Sequence, residues 1–360
     1  MKKIALALLL CAAVTVFALA AGGDAGDPLI SLSYLTGLFT EQTEARIDRA
    51  LDESDAQLKE AFASGRTVVT VADTWQETRL KRGDSLLGAT GTNVLLLAGE
   101  AQVTFSSGSV IDVTSGTAVQ SGAALLPDHR YMAAEDTAAS FTVTGKTAVL
   151  TYQGQYAFTY SNAIDYNAMA SALKTLHLFR GSFTGYGQGF DLELAPTRLQ
   201  ALIMFVRVLG EEEQALAWSG STPFTDIEKG SQAEKYVGYA YEKGYTNGYT
   251  ATTFRPGATV NAYQYTEFIL RAMGYSSVEN TDLSDTFERA QRAGVMTAGE
   301  AEMLRTDRFL RAELVYLSYY ALDSALPDSM RTLSDELMAK GVFTSEERSA
   351  AWSLVSGSRL

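Results

Sequence analysis

Two hydrophobic periodicities divide this chain. Between residues 66 and 158, apolar and polar positions alternate. Ala101, Val103 and Phe105 alternate with Gln102 and Thr104, Ile111 and Val113 flank Asp112, and Phe141 and Val143 lead towards Ala148, Leu150 and Tyr152. Successive side chains of a strand point to opposite faces, so this pattern predicts half-buried strands. Ser107-Gly108 reads as a turn and Gly145-Lys146 as a hairpin. Short strands separated by glycine turns predict a small all-β sandwich, roll or barrel.

After a linker at 162–166 the spacing becomes helical. An apolar run ends over Lys174 to Phe179 and is broken by Gly181, Gly185, Gly187 and Gly189. A second run, Leu199 to Leu209, is stopped by Gly210. Thr197 and Gln200 stand three apart, the spacing of a reciprocal N-terminal cap, and Gly210 suits the residue after a helix. The pattern recurs. Gly181 lies 17 residues before Arg198, Gly244 lies 18 before Ala262, and Gly294 lies 17 before Arg311. A glycine follows four residues later in two copies, at Gly185 and Gly248; the third has Ala298. Each copy then enters an apolar helix, and Glu211 to Ser221 reads as an acidic, small-residue connector between copies one and two. Self-similarity at roughly 50 to 60 residues is the mark of stacked units that cannot bury their apolar faces alone. Leu333 to Gly341 reads as the start of a fourth, incomplete copy.

The middle copy carries a resemblance. Phe224-Thr225-Asp226, the run from Tyr236 to Gly244 with its turn to Gly248, and Phe254-Arg255-Pro256 resemble an S-layer homology repeat. That family opens on Phe-x-Asp, carries Gly-x-x-x-Gly and Phe-x-Pro, and enters its second helix on Thr-Arg-Ala-Glu. The last motif stands here as Thr197-Arg198-Leu199-Gln200, Asn261-Ala262-Tyr263-Gln264 and Leu310-Arg311-Ala312-Glu313. The resemblance spans 166–325, in copies at about 166–210, 223–275 and 282–325. It implies an all-α pseudo-threefold bundle whose grooves bind secondary cell-wall polysaccharide, often pyruvylated, with the motif arginines meeting the carboxylate. A guanidinium fork suits that task. Arg198 and Arg311 are the expected ligand contacts, and Gln200 and Glu313 follow them in the motif. Tyr249 and Tyr263 flank turn and motif, where a ring can cover sugar C–H surface. Cap residues have a structural task first, and Ala262 leaves its groove without a cation.

Lys2 and Lys3 precede an apolar run to Ala20, where Ala18-Leu19-Ala20 reads as a cleavage site. Residues 1–20 are therefore expected to be a signal peptide, with no transmembrane anchor after cleavage. Residues 21–65 predict a strand at Ile30, Leu32 and Tyr34 and an amphipathic helix over Glu41 to Phe62; 326–360 is a helical extension with a frayed tail. The sole cysteine, Cys11, falls in the leader, so the mature chain has no disulfide or thiol chemistry. That fits an exported protein of a Gram-positive cell wall. Losing the leader removes two lysines and no acid, moving the net charge from −13 to −15. This balance disfavours nucleic acid. His129 and His177 have no partner at ligand spacing, so no metal or cofactor is expected. The expectation is a multidomain α+β, non-enzymatic surface protein attached to wall glycan. Two alternatives stay open: an envelope scaffold with decayed glycan sites, and an exported glycan-processing enzyme with its site in the β domain.

Overall fold

The computed structural model describes residues 43, 45–47, 49, 70–181, 190–277, 279, 282–357 and 359–360. The leader, the strand expected at 30–34, most of the helix expected at 41–62, and glycines 185, 187 and 189 lie outside the described residues. Residues 43, 45–47 and 49 are helical. The described residues from 70 onward fall in one compact unit.

The alternating segment folds as one mostly antiparallel sheet. Its strands are β1 (Thr70–Lys81), β2 (Ser85–Gly88), β3 (Asn93–Thr104), β4 (Ser109–Asp112), β5 (Thr117–Val119), β6 (Ala123–Ala124), β7 (Arg130–Ala134) and β8 (Ala139–Thr159). They run in the order β1-β8-β3-β7-β4-β5, with β2 on β8 and β6 on β3. Leu86 of β2 lies beside both Phe141 and Phe158, so the two ends of β8 meet across β2 and the sheet curls into a roll. Val94, Leu96, Val103, Phe141 and Leu150 fill the interior, as the alternation requires.

Gly145-Lys146 does not close a hairpin. Strand β8 continues through it for 21 residues, and the register against β3 slips between Gly99 and Ala101 instead. The extra residues are a bulge, which frees Lys146 to leave the sheet. Opposite it, Gly99 has φ +88°, and an added Cβ would press on the Thr147 carbonyl and sit 2.7 Å from Ala148 Cα. Gly99→Ala is expected to destabilise the roll by about 2–3 kcal/mol, read as a lower urea midpoint with an unchanged slope.

The second half is helical. Its helices are α1 (Tyr166–Thr175), α2 (Arg198–Val208), α3 (Glu212–Ala217), α4 (Gln232–Glu242), α5 (Ala262–Ala272), α6 (Thr286–Arg292), α7 (Ala298–Thr306), α8 (Arg311–Ala321), α9 (Leu333–Ala339) and α10 (Ser345–Leu354). The motif helices α2, α5 and α8 pack on one another. Phe205 lies against Phe268 with ring centres 6.0 Å apart, and the Tyr265 and Ser318 hydroxyls join α5 to α8 at 2.6 Å. The predicted caps form: Thr197 with Gln200, and Asn261 with Gln264, each accept the other's backbone N–H. At α8 only half the device exists, because Leu310 has no acceptor; Glu313 takes the Leu310 N–H at 2.7 Å.

Several details differ from, or add to, the sequence expectations. The linker ends one residue early, because Asp165 caps α1 and Tyr166 is already core. The connector after copy one folds as α3, and Tyr239 and Tyr245 donate their hydroxyls to the Glu211 carboxylate. In copy three, α7 replaces the glycine turn, since Ala298 keeps helical backbone where Gly248 takes φ +83°. Within the tail expected to fray, Arg359 forks onto the buried Glu300 through Nε and Nη2, at 2.6 and 2.9 Å.

Candidate functional site

The Phe-x-Asp motif supplies the base of a cleft. The Asp226 carboxylate accepts the N–H groups of Phe254 and Arg255 at 2.8 and 2.7 Å. That fixes a turn in which Phe254 is buried and Arg255 takes φ +60°. The turn aims the Phe254 carbonyl at Arg198, whose Nε donates to it at 2.9 Å, and the guanidinium stands 4.9 Å over the Phe254 ring. The same loop then crosses the start of α2. Arg198 N–H donates to Ala258 O (2.8 Å), and Leu199 N–H to Pro256 O (3.2 Å). A neighbouring repeat thus satisfies helix N–H groups that would otherwise need water or a side chain.

Arg198 lines a cleft of about 420 Å³. One wall is the turn at 246–251; the other is α5, with Gln264, Glu267 and Arg271. The turn needs its glycine: besides its φ, a Cβ on Gly248 would strike the Phe224 ring and sit 2.7 Å from the Thr250 carbonyl oxygen. Glu267 is committed, with Oε1 taking Arg271 Nε at 2.9 Å and Oε2 taking Arg289 Nη2 at 2.8 Å. Two guanidiniums therefore share one carboxylate beside Arg198, and Arg198 makes no ion pair among the described residues. Burial lowers the Arg198 pKa from its ordinary value, and Arg271 repulsion adds to the effect. An arriving carboxylate would relieve both.

The other expected site residues divide. Tyr249 lies on the cleft wall, half exposed, with the Arg255 guanidinium 3.7 Å over its ring. Tyr263 stacks flat on Phe287 at 4.0 Å and lies outside the cleft lining. The Gln200 side chain accepts Thr197 N–H at 3.0 Å, in its cap. Arg311 is buried, with Nη1 3.4 Å from Asp191 Oδ2. Glu313 is fully buried and pairs with Lys146 from the sheet. Ala262 is buried at the start of α5. Sequence reasoning did not single out Glu267, Arg271 and Arg289. The four-residue spacing of Glu267 and Arg271 was a signal for one pair, but Arg289 comes from another helix. His129 Nδ1 is bonded to Asp112 at 2.7 Å, and His177 lies past the end of α1 with φ +61°. Among the described residues, no three His, Cys, Asp or Glu side chains gather as a metal site.

The Asp226 bonds carry a pH dependence. Burial acts to raise its pKa, but the Phe254 and Arg255 N–H groups and the Arg255 charge outweigh it, leaving the pKa lowered. A depressed carboxylate pKa stabilises the fold above the unfolded value and loses that contribution as pH falls through the folded one. The thermal midpoint of the parent should therefore carry a titration below about pH 4. In Asp226→Asn that titration should vanish.

The fold and cleft define a helical module in which the loop after Phe254 and helix α5 meet the start of α2 around a group of guanidiniums. Residues 223–261 match the family model of the S-layer homology domain, from the Phe-x-Asp motif to the cap of α5. This is an S-layer homology domain-containing protein. A domain of this kind goes with attachment at the cell wall, and so with the cell surface. No helix among the described residues is long and apolar enough to cross a membrane. No curated protein matches the chain. Two solved structures show a local likeness. One is a dTDP-6-deoxy-D-glucose-3,5-epimerase from Legionella pneumophila Philadelphia 1, at 18% identity over 29% of this chain and 56% of that one, with a TM-score of 0.16. The other is a 4-keto-6-deoxy sugar epimerase from the novobiocin biosynthetic gene cluster of Streptomyces spheroides, at 16% identity over 27% of this chain and 45% of that one, with a TM-score of 0.12. The chain thus spans about half of each, and likeness at that level carries no argument.

Proposed function

We propose that this chain is a non-catalytic envelope protein that holds secondary cell-wall polysaccharide through the Arg198 cleft, with the β roll displayed alongside. One observation carries the reading: a guanidinium that makes no ion pair among the described residues lines an open cleft. The ligand class is an anionic glycan, because Arg198 and Arg271 outweigh the single committed carboxylate, and a pyruvate ketal would present the matching group. Tyr249 supplies a ring for the sugar face. The mutual packing of α2, α5 and α8 supports the pseudo-threefold arrangement expected of three such repeats. Glu267, held between two arginines, has no lone role as a proton carrier, which favours binding over catalysis. Export by the N-terminal leader belongs to the same reading. Sedimentation with purified wall sacculi tests it: the chain should pellet with polymer-bearing walls and stay in solution with walls stripped of the secondary polymer. Equal pelleting with both would favour an envelope protein partner, a role consistent with the occupied state of Arg311 and Glu313.

A further inference from the structure

The loop that crosses α2 has a counterpart on α8. Arg311 N–H donates to Leu194 O at 2.9 Å and Ala312 N–H to Leu192 O at 3.1 Å, which repeats the bonds of Arg198 to Ala258 and Leu199 to Pro256. Each loop begins with a buried phenylalanine, Phe190 or Phe254. Each follows it with a non-glycine residue at positive φ: Asp191 at +47° and Arg255 at +60°. The two loops are therefore the same device, and residues 191 and 255 occupy the same place in it.

The side chains at that place have opposite charge, and the two grooves differ accordingly. Arg255 lies on Tyr249 and adds a cation beside the Arg198 cleft. Asp191 sends its carboxylate to Arg311 instead, and both are more than nine-tenths buried. A buried carboxylate is tolerated when a cation meets it, and here that cation is the motif arginine. The roll then covers the pair. Lys146, released by the bulge in β8, reaches Glu313 and, at 3.3 Å, Asp307. Beside it the Thr147 hydroxyl donates to Glu193 at 2.7 Å.

We propose that the Arg311 groove is a second carboxylate site which the chain fills with its own Asp191 and the β roll clamps with Lys146, so that one loop position decides whether a groove is open or shut. The comparison of grooves rests on the reading of the Arg198 cleft, but the test does not use wall glycan. In the full chain, Asp191→Ala leaves a gap shaped for a small carboxylate, and acetate is the probe. Thermal midpoints are measured in sodium acetate up to about 100 mM against sodium chloride at equal ionic strength, in an Arg198→Gln background that silences the open cleft. The Asp191→Ala midpoint should rise by several degrees in acetate relative to chloride. Its Asp191-containing parent and the further variant Arg311→Met should show no such rise. A folded Asp191→Ala protein with identical midpoints in the two salts overturns the proposal. If Asp191→Ala fails to fold, Asp191→Gly suits the positive φ and opens the same gap, and it is read the same way: no acetate-specific rise overturns the proposal. Failure of the unmodified chain to bind walls would leave the acetate result standing, so the two readings fail separately.

Discussion

Arg198→Ala is expected to lower affinity for polymer-bearing sacculi by on the order of a hundredfold, or about 3 kcal/mol. The size follows from burial. A carboxylate entering the cleft meets a guanidinium already stripped of most of its water, so the pair forms with little further desolvation on the protein side. The substitution also orphans the Phe254 carbonyl, which costs about 1–3 kcal/mol of stability. Arg198→Lys separates the two effects, because it keeps the charge and loses the fork. It should bind walls measurably, though less well than the parent. Pelleting at matched folded fraction is the measurement. If the alanine variant pellets as the parent does, the cleft is not the wall site.

The second large effect is on stability. Glu267→Ala should cost about 3 kcal/mol, read as a lower urea midpoint. Glu267 is 2% exposed, and its carboxylate is the meeting point of Arg271 and Arg289. Its loss leaves two like charges facing each other across a small gap. Arg289 retains Asp285 at 2.9 Å. Glu267→Gln should fall between, since it keeps acceptors and drops the charge. An alanine variant as stable as the parent would mean the carboxylate is not what holds α5 to α6.

What could be read from the sequence was local. Thr197 with Gln200, and Asn261 with Gln264, declare a cap by spacing alone, and both caps form. The motif residues Phe224, Asp226 and Phe254 declare a family and a loop. Partners brought from far along the chain were not legible. Nothing around Asp191 says that it will meet Arg311, 120 residues away, or that Lys146 will cross from the sheet to Glu313. Gly145-Lys146 looked like a hairpin because a glycine beside a polar residue serves a turn and a bulge equally. The pairing of β8 with β3 on both sides of it decides the matter, and pairing is a tertiary property. Tyr239 lies in α4 and Tyr245 in the turn after it. That their hydroxyls would find one glutamate depended on α3 folding where a connector was expected.

In the second half of the chain, helix α10 lies against α1, the first helix after the sheet. Open stacks of repeats can grow from either end, each unit gaining order from its neighbour. Here a latch joins segments separated by most of the helical half, and loop-closure entropy must be met before that contact forms. The bundle should therefore assemble and melt as a single step on a slow timescale, with no stable half-built form for a protease to find.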